Sequence, residues 1–337
     1  MSKKIVLSAI QPSGELHLGN YFGAIKNWVR LQNEGEYKCI YGAVDLHVMT
    51  MPYEPEVLKK NTEQMMIDFL ACGVDPDKSI LFIQSLVPEH TELTWIFNCI
   101  CSFGDLTRQT QFKDKSDQIN EKQTGDKFIS AGLFTYPVLQ AADILVYKGN
   151  FVPVGKDQEQ HLELSRTIAE RFNSRFGELF PLPAVLSTET PKIYSLADPA
   201  KKMSKSLGEK HIIGLFEEED SLRKKVRSAV TDSGETTGEM SAGVANLFEL
   251  LKACGKTEIA LSLMEDYTAG NLKYSLLKDA LGDALVELTG EFRKRREEFV
   301  KDRKGAMKQV HKSSEKARDL AGETLKEVRK LCGLPKR

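Results

Sequence analysis

The sequence predicts an α/β protein in which a parallel β-sheet in the first half of the chain is followed by an α-helical C-terminal half. In the first half, short apolar runs rich in β-branched residues alternate with stretches of helical periodicity, a pattern typical of βαβ units. After about residues 205–215 the strand patterns end, and charged segments of helical periodicity continue to the C-terminus.

Four apolar runs predict the strands of the sheet. They are Lys4–Ile10, Lys38–Val44, Ser79–Ser85 and Phe151–Val154. Each is short enough for a buried strand, and each is followed by polar or turn-forming residues. Because parallel strands need crossover connections, helices are expected between them.

Two amphipathic helices are predicted in these connections. Apolar side chains recur at helical spacing in 20–32 and in 61–72, and Gly73 follows the second run as a helix-ending glycine. The predicted apolar faces are formed by Tyr21, Ile25, Trp28 and Val29 in the first helix and by Met65, Met66, Phe69 and Leu70 in the second.

The predicted domains are residues 1–207, which contain the sheet, and residues 208–337, which are helical. A polar stretch at residues 110–130 interrupts the α/β pattern and predicts a surface loop within an inserted connective segment at about residues 100–140.

Composition excludes several classes of protein. The 47 basic and 48 acidic side chains give a formal charge of −1, so any polyanion must be bound by a local basic patch. The six cysteines form no C-x-x-C pair, which favours reduced thiols without structural zinc. The apolar run Ile5–Ile10 is too short for a signal peptide, and no later run is long enough to span a bilayer. A cytoplasmic protein with no membrane partner is therefore expected.

The first candidate site is the segment Gln11–Asn20, where a predicted strand gives way to a helix. Gly14 and Gly19 allow a ligand to approach the backbone closely, and the free N–H groups of a helix start favour a triphosphate. His17 and Asn20 add side-chain donors. The alternative is an ordinary loop in which Pro and Gly only turn the chain.

The second candidate site is Lys201–Ser206, which places three lysines and two hydroxyl groups in a loop at the end of the sheet-containing half. Lysines on a flexible segment suit a pyrophosphate leaving group, because negative charge grows on its oxygens as the α-phosphate is attacked. A lysine-rich solvated loop is the alternative interpretation.

The early P-x-x-x-x-H-x-G-N and the late K-M-S-K-S together resemble the paired signatures of class I aminoacyl-tRNA synthetases. Five more segments resemble, in order and spacing, tryptophanyl-tRNA synthetases of the bacterial and mitochondrial type: Val44–His47, Thr110–Ser116, Tyr136–Leu145, Val152–Gln158 and Ala229–Ser233. The resemblance covers nearly the whole chain. It implies a Rossmann-type catalytic domain that binds ATP and tryptophan, a helical domain that binds the tRNA anticodon, and a homodimer.

The resemblance also implies functional residues. Those expected to surround ATP are Gln11, Pro12, Ser13, Gly19, Asn20, Gly155, Lys156, Asp157, Ile193, Lys202, Met203, Ser204, Lys205 and Ser206. Those expected to act in the chemical step are Lys202, Lys205, Lys115, Asn20 and His17. Those expected to bind tryptophan are Asp143, Tyr136, Gln158, His47, Leu7, Gln140, Val152 and Val154.

Within the tryptophan set, Asp143 is implied to accept the indole N–H, while Tyr136 and Gln158 are implied to hold the ammonium end. A buried acceptor rejects a ligand without a donor, because the unmatched group loses a hydrogen bond worth about 1 to 3 kcal/mol. Alternatively, Asp143 caps a helix or pairs within the fold.

The implied reaction is attack by the tryptophan carboxylate on the α-phosphate of Mg-ATP, followed by transfer of tryptophan to the terminal adenosine of tRNA(Trp). Three departures from the family pattern stand near the ligands: Gln140 replaces a frequent methionine, Lys156 replaces an acidic residue, and Leu207 replaces an aspartate. Lys156 and Leu207 predict altered local electrostatics and ATP affinity without loss of the chemistry, whereas Gln140 changes the side wall of the amino-acid pocket.

Three other functions remain open at this stage. A tyrosyl-type synthetase would share the Tyr136–Asp143 pattern, although that family has a tyrosine where this chain has Leu7. A nucleotidyltransferase for a small metabolite would use a similar glycine-rich turn. A non-enzymatic RNA-binding relative would not need the lysines of the second segment. Basic runs at 223–227, 293–296 and 301–304 suit tRNA phosphates, or a salt-bridged helix surface.

Overall fold

A five-stranded parallel sheet forms the centre of the first half of the chain. The computed structural model describes residues 3–109, 129–153, 159–187, 191–231 and 240–336, without the side chain of Ser206. The strands are β1 (Ile5–Ile10), β2 (Lys38–Ala43), β3 (Ile80–Ile83), β4 (Phe151–Val152) and β5 (Ala184–Val185), in the spatial order β3-β2-β1-β4-β5. The predicted α/β class with a parallel sheet and a helical C-terminal half is confirmed.

The four predicted strands are present, and β5 was not predicted. Only two residues of β5 pair with β4, at Phe151↔Ala184 and Val152↔Val185. Pro181 and Pro183 precede this strand, so the segment carries neither an apolar run nor an alternating pattern. Its place in the sheet depends on the neighbouring strand β4 and not on a local sequence signal.

Helices cover both faces of the sheet and form the C-terminal half. Those of the first half are α1 (Leu18–Asn20), α2 (Lys26–Glu34), α3 (Pro55–Ala71), α4 (Glu89–Asn98), α5 (Phe103–Thr107), α6 (Ala131–Leu145) and α7 (Glu159–Phe176). Those of the second half are α8 (Glu219–Arg227), α9 (Ala242–Ala253), α10 (Thr257–Thr268), α11 (Tyr274–Lys301) and α12 (Arg303–Leu331). Among the described residues, no helix is long and apolar enough to cross a membrane.

The two predicted amphipathic helices are observed with different starting points. The first helical stretch starts at Leu18 and passes through a π-helical turn, Tyr21–Ile25, into α2. Ile25 and Trp28 on its predicted face are completely buried. The second helix, α3, starts at Pro55, a residue that favours the first turn because it has no N–H to leave unpaired.

The last helix returns to the sheet and covers the outer edge of β3. Leu81 N donates to Ser313 Oγ (2.8 Å), and Ile83 N donates to Ser314 Oγ (3.2 Å). These serines satisfy backbone N–H groups that an edge strand otherwise leaves unpaired. Apolar side chains of α9 and α11 also join those of β1 and α2 in one buried cluster. The proposed division between residues 207 and 208 remains a prediction, and the two halves share this core.

Replacing Ser313 by alanine should lower the free energy of unfolding by about 1 to 3 kcal/mol, because the Leu81 N–H then stays buried without an acceptor. Thr324→Val is the control on the same helix, since its hydroxyl bonds only to the Leu320 carbonyl of α12. Urea denaturation of both variants measures the difference. Equal losses would contradict a specific role of Ser313 at the sheet edge.

Candidate active site

The turn between β1 and α1 is closed by two side chains of the first candidate segment. Gly19 N donates to His17 Nδ1 (3.1 Å), and His17 N donates to Asn20 Oδ1 (3.1 Å), which together form a capping box. A Cβ atom at Gly19 would lie 2.8 Å from His17 Cε1, so only glycine fits there. His17 and Asn20 therefore shape the helix start. The backbone N–H groups of residues 17–21 all have acceptors within the fold, so the free N–H groups predicted for a triphosphate are not observed there.

His17 is neutral at pH 7. Burial and the positive charges of Lys205 and Lys202 lower the pKa of His17 from 6.5 to about 4. The imidazole thus adds no positive charge beside a phosphate. The net positive charge of this region comes from the two lysines.

The second candidate segment is anchored beside this turn. Met203 N donates to Ile193 O (3.0 Å), Ser195 N donates to Lys201 O (2.8 Å), and both Met203 and Ile193 are 3% exposed. Leu18 N also donates to Ile213 O (3.0 Å), which fixes the chain that follows the lysines against α1. The fold therefore brings together the two segments that the sequence separates by about 180 residues.

The two lysines of the second segment lie in different environments. Lys202 is exposed, whereas Lys205 is half-buried, and its Nζ would lie 3.7 Å from a Cβ atom at Gly14. Burial lowers the pKa of Lys205, while the charges of Glu15 and Asp68 oppose that shift. An ammonium with little water around it interacts more strongly with a phosphate.

Asp68 connects this region to the helical half of the chain. It is 1% exposed and pairs with Arg296 of α11 at 2.9 Å, and the Arg296 guanidinium lies 4.2 Å from the centre of the Phe216 ring. Burial raises the pKa of Asp68 to about 6, although Arg296 and Gln64 oppose the shift. The negative charge of Asp68, which acts on Lys205, thus depends on the ion pair with Arg296 of α11.

On the other side of β1, the carboxylate of Asp143 forms a buried hydrogen-bond network. His47 Nε2 donates to Asp143 Oδ2 (2.8 Å), while His90 Nδ1 (2.6 Å) and Gln84 Nε2 (2.7 Å) donate to Oδ1. Burial disfavours the ionised form, but the hydrogen bonds from the two histidines outweigh it and hold the pKa of Asp143 well below its usual range. Asp143 is therefore a carboxylate at neutral pH, and an obligate acceptor.

A small cavity lies next to this network. Its volume is about 250 Å³, and it is lined by Leu46, Met49, Thr50, Thr91, Thr94, Gly132, Thr135, Tyr136 and Leu139. The ring of Tyr136 lies edge-on to that of His47 at 6.2 Å, which connects the cavity wall to the Asp143 network. Tyr136 Oη is also 3.3 Å from His161 Nε2.

A larger cavity, of about 520 Å³, lies elsewhere, between Cys99–Cys101 and the end of α7. None of the residues predicted to bind ATP or tryptophan lines it. It is open, and one of its two arginines, Arg171, already pairs with Asp105. Of the predicted residues, Tyr136 lines the smaller cavity.

Comparison with known proteins agrees with this geometry. Residues 2–290 match the family of tRNA synthetases class I (W and Y). Tryptophan–tRNA ligase 2 of Streptomyces avermitilis is 46% identical over 330 residues, which cover 96% of this chain and 95% of the relative. The tryptophan–tRNA ligase of Clostridium acetobutylicum is 42% identical over 336 residues, which cover 98% and 97%. This chain belongs to the class I aminoacyl-tRNA synthetases of the tryptophanyl and tyrosyl family.

A solved structure extends the comparison to bound ligands. The tryptophanyl-tRNA synthetase of Campylobacter jejuni, in complex with ADP and tryptophan, superposes with a TM-score of 0.82 at 34% identity, covering 98% of this chain and 100% of that one. The prediction of an aminoacyl-tRNA synthetase of the tryptophanyl type is thus confirmed. The sequence-based site residues, in contrast, remain predictions.

The described part of the synthetase contains most of these predicted residues. Leu7 on β1 and Val152 on β4 are buried in one apolar cluster with residues of α6, and Gln140 on α6 is half-buried. Pro12 is buried, whereas Gln11 and Ser13 are exposed beside the α1 turn, and Ser204 is half-buried. The predicted residues that lie outside the described residues are Lys115, Val154, Gly155, Lys156, Asp157 and Gln158, together with the side chain of Ser206.

Three residues of the synthetase's buried network were not predicted, namely Gln84, His90 and Tyr147. Gln84 follows β3 at the carboxyl edge of a parallel sheet, where ligand sites gather, so its position could have marked it. His90 and Tyr147 gave no such signal, because only the packing of α4 against α6 brings them together.

The neutral state of His17 predicts a pH dependence of stability. The folded pKa of about 4 lies below the ordinary value of 6.5, so the contribution of His17 is complete above pH 6.5 and is lost as the pH falls toward 4. Between pH 7 and pH 5, wild type should lose about 2 kcal/mol more free energy of unfolding than His17→Asn, which keeps a capping acceptor.

Denaturant unfolding at the two pH values measures this difference. His311→Asn, a change at an exposed histidine of α12, is the control and should behave like wild type. The same pH slope in wild type and His17→Asn would contradict the account of His17.

Proposed function

We propose that this synthetase is a tryptophan–tRNA ligase: it activates L-tryptophan with ATP to tryptophanyl-adenylate and pyrophosphate, then transfers tryptophan to the 3′-terminal adenosine of tRNA(Trp). The observation that carries this proposal is the ionised, buried carboxylate of Asp143 on the same helix as Tyr136. A carboxylate among apolar neighbours suits an amino acid whose apolar side chain has one N–H donor.

Alignment and charge supply the catalysis in this proposal, and no general base is needed. The substrate carboxylate is already ionised at neutral pH and can attack the α-phosphate directly. Charge that develops on the pyrophosphate is stabilised by Lys202, Lys205 and Lys115.

Magnesium enters this reaction as part of the substrate Mg-ATP. Within the described residues, no group of three or more His, Cys, Asp and Glu side chains could hold a metal ion. In this proposal the magnesium ion keeps most of its waters and is bound through the substrate phosphates.

The transfer step requires tRNA, and the helical half offers basic side chains. Several of these already pair within the fold: Arg223 binds Glu219 and Asp283, and Arg303 binds Glu63. At those positions the ion pairs favour the interpretation of a salt-bridged helix surface over that of a phosphate-binding site. We propose that the helical half binds the anticodon through basic groups that the fold leaves exposed, among them Lys304.

A homodimer is proposed from the apolar surface at α4 and α5. Trp95 is 72% exposed and Phe103 is 73% exposed, and both helices pack against α6. The Phe103 ring lies 5.2 Å from that of Phe134. Large exposed aromatic side chains are typical of a protein interface, and a second copy of the chain would bury them.

Trp95→Glu should convert the dimer into a monomer, because a carboxylate cannot be buried without a partner. Sedimentation velocity measures the change. Leu261→Glu, at an apolar side chain of α10 that is 56% exposed, is the matched control and should remain dimeric. A monomeric wild type, or a dimeric Trp95→Glu, would refute the proposed interface.

Asp143→Asn and Lys205→Ala should affect the two substrates differently in tryptophan-dependent exchange of pyrophosphate into ATP. Asp143→Asn should raise the KM for tryptophan at least about tenfold with little change for ATP, because a buried acceptor is lost. Lys205→Ala should lower kcat by a large factor with a modest effect on tryptophan, because a phosphate-facing charge is lost.

The matched control for the lysine is Lys201→Ala, since Lys201 is exposed and pairs with Asp198 at 3.2 Å. It should keep nearly the wild-type rate. Equal effects of Asp143→Asn on both substrates, or an unchanged rate in Lys205→Ala, would contradict the assigned roles.

A further inference from the structure

The two oxygens of the Asp143 carboxylate are not equivalent. Within the part of the chain that the structure describes, Oδ1 accepts from Gln84 Nε2 and His90 Nδ1, whereas Oδ2 accepts only from His47 Nε2. An ionised carboxylate offers about two acceptor positions on each oxygen. Oδ1 is therefore fully occupied by the fold, and Oδ2 keeps one position for a further donor.

The orientation of Gln84 is fixed from its other end. Gln84 is completely buried, and its Oε1 accepts from Leu46 N at 3.1 Å. Because the amide oxygen faces Leu46, the amide nitrogen must face Asp143. If the Gln84 amide were flipped, both of these hydrogen bonds would be lost. Nε2 of Gln84 therefore remains the donor to Oδ1 of Asp143.

His90 is held equally firmly. It is 0% exposed, its ring stacks on Phe82 at 5.5 Å, and Nε2 lies 2.8 Å from Tyr147 Oη. The close position of Phe82 depends on Gly42, because a Cβ atom there would lie 2.5 Å from the Phe82 ring. The imidazole is therefore enclosed on one face by an aromatic ring and bound at both nitrogens.

Asp143 and Tyr147 together set the direction of the hydrogen bonds to His90. Burial raises the pKa of Tyr147, and the negative charges of Asp143 and Glu89 raise it further, so the phenol remains protonated. Because the ionised carboxylate of Asp143 can only accept, Nδ1 of His90 carries a proton. In the neutral imidazole Nε2 is then an acceptor, and the protonated phenol of Tyr147 donates to it. The chain Tyr147–His90–Asp143 thus has one consistent direction.

We propose that Gln84, His90 and Tyr147 are positioning residues for amino-acid selection. Gln84 and His90 fill Oδ1 of Asp143, and Tyr147 orients His90, so that only Oδ2 is presented to the substrate's ring N–H. This inference rests on the proposed role of Asp143. In addition, the selectivity for a ring N–H depends on residues that do not contact the substrate. A carboxylate that could rotate would present either oxygen to other ligands and would select less strongly.

The test compares tryptophan with β-(3-benzothienyl)alanine, in which sulfur replaces the ring N–H. The measured quantity is the ratio of kcat/KM for the two amino acids in pyrophosphate exchange. Tyr147→Phe should lower this ratio about fivefold and His90→Leu about tenfold or more, mainly through the KM for tryptophan, while the KM for ATP stays unchanged.

Two further variants separate positioning from stability. His90→Asn places an amide N–H near the position of Nδ1, so it should restore the ratio to within about threefold of wild type. Tyr41→Phe is the matched control for Tyr147→Phe: Tyr41 is also fully buried, and its phenol donates to Trp28 O at 3.1 Å, away from Asp143. It should lower the thermal stability without changing the ratio.

The outcomes distinguish this inference from the proposed function. The positioning role is overturned if Tyr147→Phe and His90→Leu both keep the wild-type kcat/KM ratio while Asp143→Asn lowers it. Asp143 then remains the acceptor. If the kcat/KM ratio falls equally in Tyr41→Phe and Tyr147→Phe, the effect comes from general destabilisation, and the positioning role is also overturned. A wild-type ratio in Asp143→Asn itself contradicts the proposed role of Asp143.

Discussion

The ionised side chain of Asp143 is buried among apolar neighbours, and three hydrogen-bond donors hold it there. Without these donors a buried carboxyl group would be neutral, and it would no longer be an obligate acceptor. His47 follows β2, Gln84 follows β3 and His90 lies on α4, so the donors come from three separate segments. The network therefore fixes α6 against the carboxyl edge of the sheet, and the amino-acid side of the site depends on it.

The nucleotide side of the site uses a different arrangement at the same edge. A neutral His17 closes the start of α1, and the positive charge lies on lysines of a separate loop. The ammonium of Lys205 is influenced by Asp68, which pairs with Arg296 of α11. In the proposed function, two kinds of chemistry thus share one sheet: an apolar ring is selected on one side of β1, and charge is stabilised on the other.

Local patterns predicted much of this molecule. Four strands, the buried faces of two helices and both signature segments follow from residue periodicity and turn chemistry, because those signals are local. The short strand β5, the contact of Ser313 with the edge of β3 and the partners of Asp143 could not be predicted, since each depends on residues that meet only after folding. The two interpretations of Asp143 are also compatible in the structure: it pairs within the fold and still keeps one acceptor position.

The central claim is that a carboxylate held in this way makes the enzyme select tryptophan. Pyrophosphate exchange into ATP, measured with each of the common amino acids in turn, tests it most directly. The account predicts that tryptophan supports exchange far better than tyrosine or phenylalanine, because only its apolar ring system carries a single N–H donor for Asp143. Exchange supported equally well by tyrosine, or by no amino acid, would contradict it.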